Sequence, residues 1–189
     1  MRKKIFLFLL SMSFFLSFTT CLAAQPQKVA ILPVITPGYI RLDPAYEHQI
    51  TQAMERKFHT SLASLVPVFE LLPADTIQAD YAAIQTHNGK PVLDKTLLQG
   101  MAAASQADIV IAAEVTSFRA LTHRTWDNEE FQETDIALRI ASYQKSSDSF
   151  LTVRDRQTYQ GITLLSGRPD YILDDLLYRL LNKLPDYRQ

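Results

Sequence analysis

Two kinds of apolar patterning divide the chain. Residues 5–18 are dominated by large apolar side chains and carry no charge, whereas beyond Gln25 the apolar positions come in short blocks separated by polar residues. The first block, 28–34, is nearly all apolar and reads as a short strand buried on both faces of a sheet, broken by Pro37 and Gly38. Asp43 followed by Pro44 predicts a helix start, since an aspartate can accept from free amides and a proline fits the first turn. Tyr46, Ile50, Ala53, Met54, Phe58, Leu62 and Leu65 then recur at three- and four-residue spacing, one apolar stripe on a helix through 65. A second apolar strand is expected over 66–72, closed by Pro73, and a short helix over 74–85 that ends near Asn88 and Gly89. Asp94 opens a further helix whose inner face is Leu97, Leu98, Met101, Ala102 and Ser105, leading into the strongest buried strand, 107–116.

Segment 119–130 is polar and is expected to be a loop. Alternation follows: Ile136, Leu138 and Ile140 face one way and Asp135, Arg139 and Tyr143 the other, as on a half-exposed antiparallel strand. A turn at 145–148 and a strand over 150–159 complete a hairpin. The last helix opens at Pro169 and carries Ile172, Leu173, Leu176, Leu177, Leu180, Leu181 and Leu184 before Pro185, with Asp170, Asp174 and Asp175 near its positive end. This predicts an α/β fold, order β-α-β-α-β-β-β-α: a mixed sheet of about five strands in two or three layers, parallel in its first half and antiparallel in its last, as one domain over 25–189. The terminal helix is expected to pack on the sheet; a helix offered to a partner is the alternative.

Composition changes this picture mainly at the N-terminus. Arg2, Lys3 and Lys4 precede the first apolar run, and small residues and Gln25-Pro26 follow it, the layout of a removable secretory signal over 1–24. The run is shorter than the roughly 20 apolar residues of a membrane-spanning helix, so no stable span is expected after cleavage at Ala23 or Ala24. Export to the periplasm follows, with lipid anchoring at Cys21 as the alternative. Cys21 is the single cysteine, so cleavage behind it leaves a domain without thiol or disulfide. The whole chain has 19 basic and 20 acidic side chains; loss of the three N-terminal cations makes the remainder more acidic, which argues against nucleic acid and against a polybasic membrane contact.

Three segments resemble a small α/β module of the bacterial envelope. The strand beginning Lys28-Val29-Ala30-Ile31-Leu32-Pro33 is similar to the first strand of the curli-secretion lipoprotein family, of the lipoprotein activators of penicillin-binding proteins, and of the N-terminal domain of the Tol-system propeller protein. The strand 107–116 resembles a later strand of that group, and 137–159 its antiparallel pair. The resemblance spans most of 27–184 and speaks for fold; Glu114 stands where those families often have Gly. Segment 119–130 also lacks the alternating apolar hairpin that a pore-forming member inserts into a membrane.

No reactive constellation is spaced for chemistry. There is no Gly-x-Ser-x-Gly turn, the histidines lack metal-ligand spacing, and the five glycines stand apart, so no catalytic residue, metal site or cofactor is assigned. Glu55 and His59 are read as a solvated pair. Asp127, Asn128, Glu129, Glu130, Glu133 and Asp135 form the densest acidic patch, and within it Asp127, Glu129 and Glu130 are a weak cation-binding candidate without a glycine-turned ligand loop. Phe118, His123, Arg124, Trp126 and Phe131 bring aromatic and cationic groups to the same region and are the partner-binding candidates. The bland expectation for Trp126 is a lid folded over the sheet edge. The expected function is a non-catalytic exported interaction or assembly module that docks onto another envelope protein, oligomeric state undetermined. The alternatives are a secreted hydrolase with acids such as Asp127 and Glu129 assembled beside Arg124, and a small-ligand or cation-binding protein.

Overall fold

The computed structural model describes residues 25–59, 67–88 and 92–187. The expected signal peptide with Cys21, and Leu62 and Leu65 of the first helical stripe, lie outside the described residues. Five strands form one sheet: β1 (Gln27–Ile31), β2 (Phe69–Leu71), β3 (Ile109–Arg124), β4 (Glu130–Gln144) and β5 (Ser149–Ile162). Their order is β2-β1-β3-β4-β5, with β1 parallel to both neighbours and β3, β4 and β5 antiparallel. The helices are α1 (Pro44–Phe58), α2 (Ala74–Asn88), α3 (Lys95–Ala104) and α4 (Pro169–Asn182), the last entered through a 3-10 turn at Leu165–Gly167. The mixed α/β sheet is as expected. As the sequence predicts, two helices stand between β2 and β3, the second opened by Asp94.

Local chemistry places the helix starts. Asp43 Oδ1 accepts from the Ala45 amide at 2.9 Å, with Pro44 next to it, and Asp94 Oδ1 accepts from the Leu97 amide at 2.8 Å. Each satisfies an amide that the first turn leaves without a backbone partner. The expected run of α1 to 65 is corrected: the helix ends at Phe58, and His59 follows as its C-cap with extended backbone (φ −64°, ψ 126°).

The crossovers explain the layers. The chain moves from β1 to β2 through α1, then back past β1 to β3 through α2 and α3. Right-handed crossovers in opposite directions put their helices on opposite faces. One face buries Val29, Ile109, Ile111, Ile136, Leu138 and Ile140 against α1 and the Leu-rich stripe of α4. The other buries Ala30, Leu32, Val110 and Ala112 against Ile77 and Tyr81 of α2 and Leu98 and Met101 of α3. Both faces of β1 are thus covered, which is why its sequence shows no alternation. Tyr143, expected on a half-exposed face, is buried in the second cluster because α3 reaches the end of β4.

Segment 119–130 is corrected from loop to hairpin. β3 pairs with β4 as far as Arg124 opposite Glu130, after a register shift between Val115 and Ser117. That shift, a β-bulge, reverses which alternate residues of β3 face each side. Beyond it one face of the ribbon is wet, while the other buries Thr134 and Gln132 and sets Phe118 against α1, so the covered face is built largely from polar residues and no apolar alternation marks it in the sequence.

Candidate functional site

The outer end of the β3–β4 hairpin is the candidate site. Its turn is fixed by backbone bonds: the Thr125 amide donates to the Glu129 carbonyl at 2.9 Å and the Asn128 amide to the Thr125 carbonyl at 3.0 Å. Asn128 has φ 61°, a left-handed conformation that asparagine tolerates better than most residues. The Thr163 amide donates to the Glu130 carbonyl at 2.8 Å, which ties the end of β5 to the base of the turn.

The five partner-binding candidates separate within this frame. Phe118 faces α1, where its ring lies 4.8 Å from that of Tyr46. His123 and Phe131 are cross-strand partners on the opposite face, ring centroids 5.3 Å apart, and Phe131 is in turn opposite Ile162 of β5. Arg124 Nη1 donates to Asn128 Oδ1 at 3.4 Å, and its other terminal nitrogen stands 3.8 Å from Glu130. Trp126 does not fold back over the sheet edge; its side chain is fully exposed at the turn. Leu121, Ile162, Leu164 and Leu165 are also exposed at this end of the molecule. The row formed with Ile162 was missed in the sequence because it depends on the β4–β5 register, which no local signal reveals.

The acids of the turn do not gather around Arg124: Asp127, Glu129 and Glu130 are all exposed, and only Glu130 is near its guanidinium. Among the described residues no group of three His, Cys, Asp or Glu side chains is placed to hold a metal ion.

Behind the tip, the part of the sheet that the helices leave uncovered carries a ladder of ion pairs. Arg156 donates to Asp135 through Nε at 2.7 Å and Nη2 at 2.9 Å, and Ser117 donates to the same carboxylate at 2.8 Å. The hydrogen bonds from Arg156 hold the Asp135 carboxyl below the usual range, against the opposing effect of its partial burial. Arg119 and Glu133 form a looser pair at 3.5 Å. These acids and bases neutralise one another across strands, an arrangement that stabilises a sheet rather than one that activates a nucleophile.

No family model matches the chain, and no curated protein matches it. Similar solved structures include the PelC dodecamer from Paraburkholderia phytofirmans, 15% identical over 84% of this chain and 88% of that one, TM-score 0.43. They include lipoprotein GNA1162 from Neisseria meningitidis (12%, 84% and 97%, TM-score 0.43) and the LpoB C-terminal domain from Escherichia coli (10%, 73% and 88%, TM-score 0.38). At these identities and scores the likeness carries no functional weight. No described helix is long and apolar enough to cross a membrane.

Proposed function

We propose that this chain is a non-catalytic interaction module, exported to the envelope, that meets a protein partner with the outer end of its β3–β4 hairpin. The exposure of Trp126 carries this reading. A large apolar side chain gains about 1.5–3 kcal/mol on leaving water, and Trp126 gains none of it within its own fold. Trp and Arg are enriched among residues that dominate binding energy, and here Trp126 and Arg124 sit two residues apart on a turn held by backbone hydrogen bonds. His123, Phe131 and Ile162 add an apolar row beside them, with the paired charges of the sheet face as a polar rim.

The test places a photo-reactive amino acid at position 126 in intact cells, with the same probe at the exposed Tyr178 of α4 as control. A discrete protein adduct is expected at 126 and not at 178. Trp126→Ala should remove that partner in chemical cross-linking while changing folding stability by less than about 0.5 kcal/mol. Partners unchanged by Trp126→Ala, or no adduct specific to position 126, defeats the proposal.

A further inference from the structure

On the far side of the molecule from α4, the carboxyl end of β1 opens into a cleft of about 630 Å³. Its place follows from the topology. The chain runs from β1 one way to β2 and back the other way to β3, so the order reverses between β1 and β3; in open α/β sheets such reversals are where ligands bind. The chain beyond β1 keeps close to β3 for a few residues: the Ile35 amide donates to the Ala113 carbonyl and the Val115 amide to the Ile35 carbonyl, each at 2.9 Å. Ile35 is thereby bridged to Glu114, and the following turn wraps the opening.

The lining is chemically one-sided. Glu114 is the single charged residue on a wall that otherwise has the apolar positions of 33–37, the rings of Tyr39 and Tyr81, and the side-chain amides of Gln78 and Gln85. Arg139 donates to Glu114 Oε2 through Nε at 2.7 Å, and its Nη2 stands 2.6 Å from the same oxygen. That pairing fixes the carboxylate and leaves Oε1 with no hydrogen bond among the described residues. Glu114 is four-fifths buried, so a donor reaching Oε1 would meet it where water screens poorly. Tyr81 is nearly buried beside it; burial first, and then the Glu114 charge, keep its phenol protonated to higher pH than usual, with Gln85 bonding it in the opposite sense.

We infer that this cleft binds a small primary amine in its ammonium form, with the cation on Glu114 Oε1 and an apolar body against the 33–37 segment and the tyrosine rings. Arg139 occupies Oε2 and leaves Oε1 open to a donor, aromatic rings attract cations, and the volume lies within the range of small-molecule sites. The inference is independent of the hairpin proposal, and the two sites share no residue.

The experiment is a ligand-observed NMR titration of the exported protein with phenethylammonium, set against neutral 2-phenylethanol and anionic 3-phenylpropanoate. Saturable binding of the ammonium is expected, at least tenfold tighter than the alcohol, with no binding of the anion. Glu114→Gln should weaken the ammonium at least tenfold, Tyr39→Ala should weaken it severalfold, and Trp126→Ala should leave it unchanged. Tyr39 is exposed on the turn, so its replacement does not endanger the core. Equal binding of ammonium and alcohol, no saturable binding, or undiminished affinity in a folded Glu114→Gln protein overturns the inference; should that variant not fold, undiminished affinity in Tyr39→Ala does the same.

Discussion

Gly167 shows how much a single residue can decide in this fold. Its carbonyl accepts a 2.7 Å bond from the buried Thr134 hydroxyl, and the Tyr159 ring lies against its Cα, so that a Cβ would stand 2.3 Å from Tyr159 Cε1. The ring has little freedom to retreat, because the Tyr159 hydroxyl donates to the Ile162 carbonyl at 2.6 Å. Gly167→Ala should therefore destabilise the protein by about 1–3 kcal/mol, as overpacking of a tight site does, and Tyr159→Ala in the same chain should recover part of the loss. Urea unfolding of the two single variants and the double variant measures this; a Gly167→Ala midpoint equal to the parent's rejects the contact. Nothing local in the sequence marks Gly167, since the ring against it belongs to another element, β5. Trp126 was legible as a residue of interest from its type and surroundings. Its full exposure was not, because that follows from how far the strands beneath it extend.

Elements differ in how openly they are written, and the reason is the range of the forces that define them. α1 and α3 begin at Asp43 and Asp94 as the sequence predicts, because a cap is a contact between residues two or three apart. The outer part of β3 and β4, wet on one face, is held by pairing between residues such as Arg119 and Asp135, whose partnership only the bulge at 115–117 determines. There the ladder of charges takes the place of an apolar face, and it makes a pH-dependent prediction. Asp135 is depressed by its bonds from Arg156, so its contribution is fully present above the ordinary carboxylate value, near 4, and is lost as pH falls through the lowered folded value. Arg156→Ala should consequently lower the urea midpoint at pH 7, and the gap to the parent should close as the pH is taken below about 4. A gap that is constant with pH would mean that Arg156 acts by packing along the strand rather than through the carboxylate. The pair is partly exposed, so added salt should narrow the gap at pH 7 as well.

At the scale of the molecule, stability has to come from packing, since a single cysteine cannot form a disulfide within the chain. One sheet separates two apolar clusters, but its central strands β1 and β3 contribute side chains to both, which couples the two halves. α4 is the last helix in the chain and yet covers strands laid down well before it: Leu173, Leu176, Leu177 and Leu180 are buried in the same cluster as Val29 of β1, Ile109 of β3, and Ile136, Leu138 and Ile140 of β4. It is also clamped to the edge strand, where Arg179 donates to Asp155 at 3.0 Å and to Gln157 at 2.9 Å. These contacts make α4 part of the core rather than an arm held out to a partner, and the two roles predict opposite results for one substitution. Leu176 is wholly buried, so Leu176→Ala should cost about 2–5 kcal/mol, a large share of the roughly 5–15 kcal/mol typical of a domain. If 25–189 folds as one unit, the loss should appear as a lower midpoint of a single transition, coincident by far-ultraviolet and near-ultraviolet circular dichroism. A helix that served only for docking would leave the midpoint unchanged, and a separately folding C-terminal part would split the transition in two.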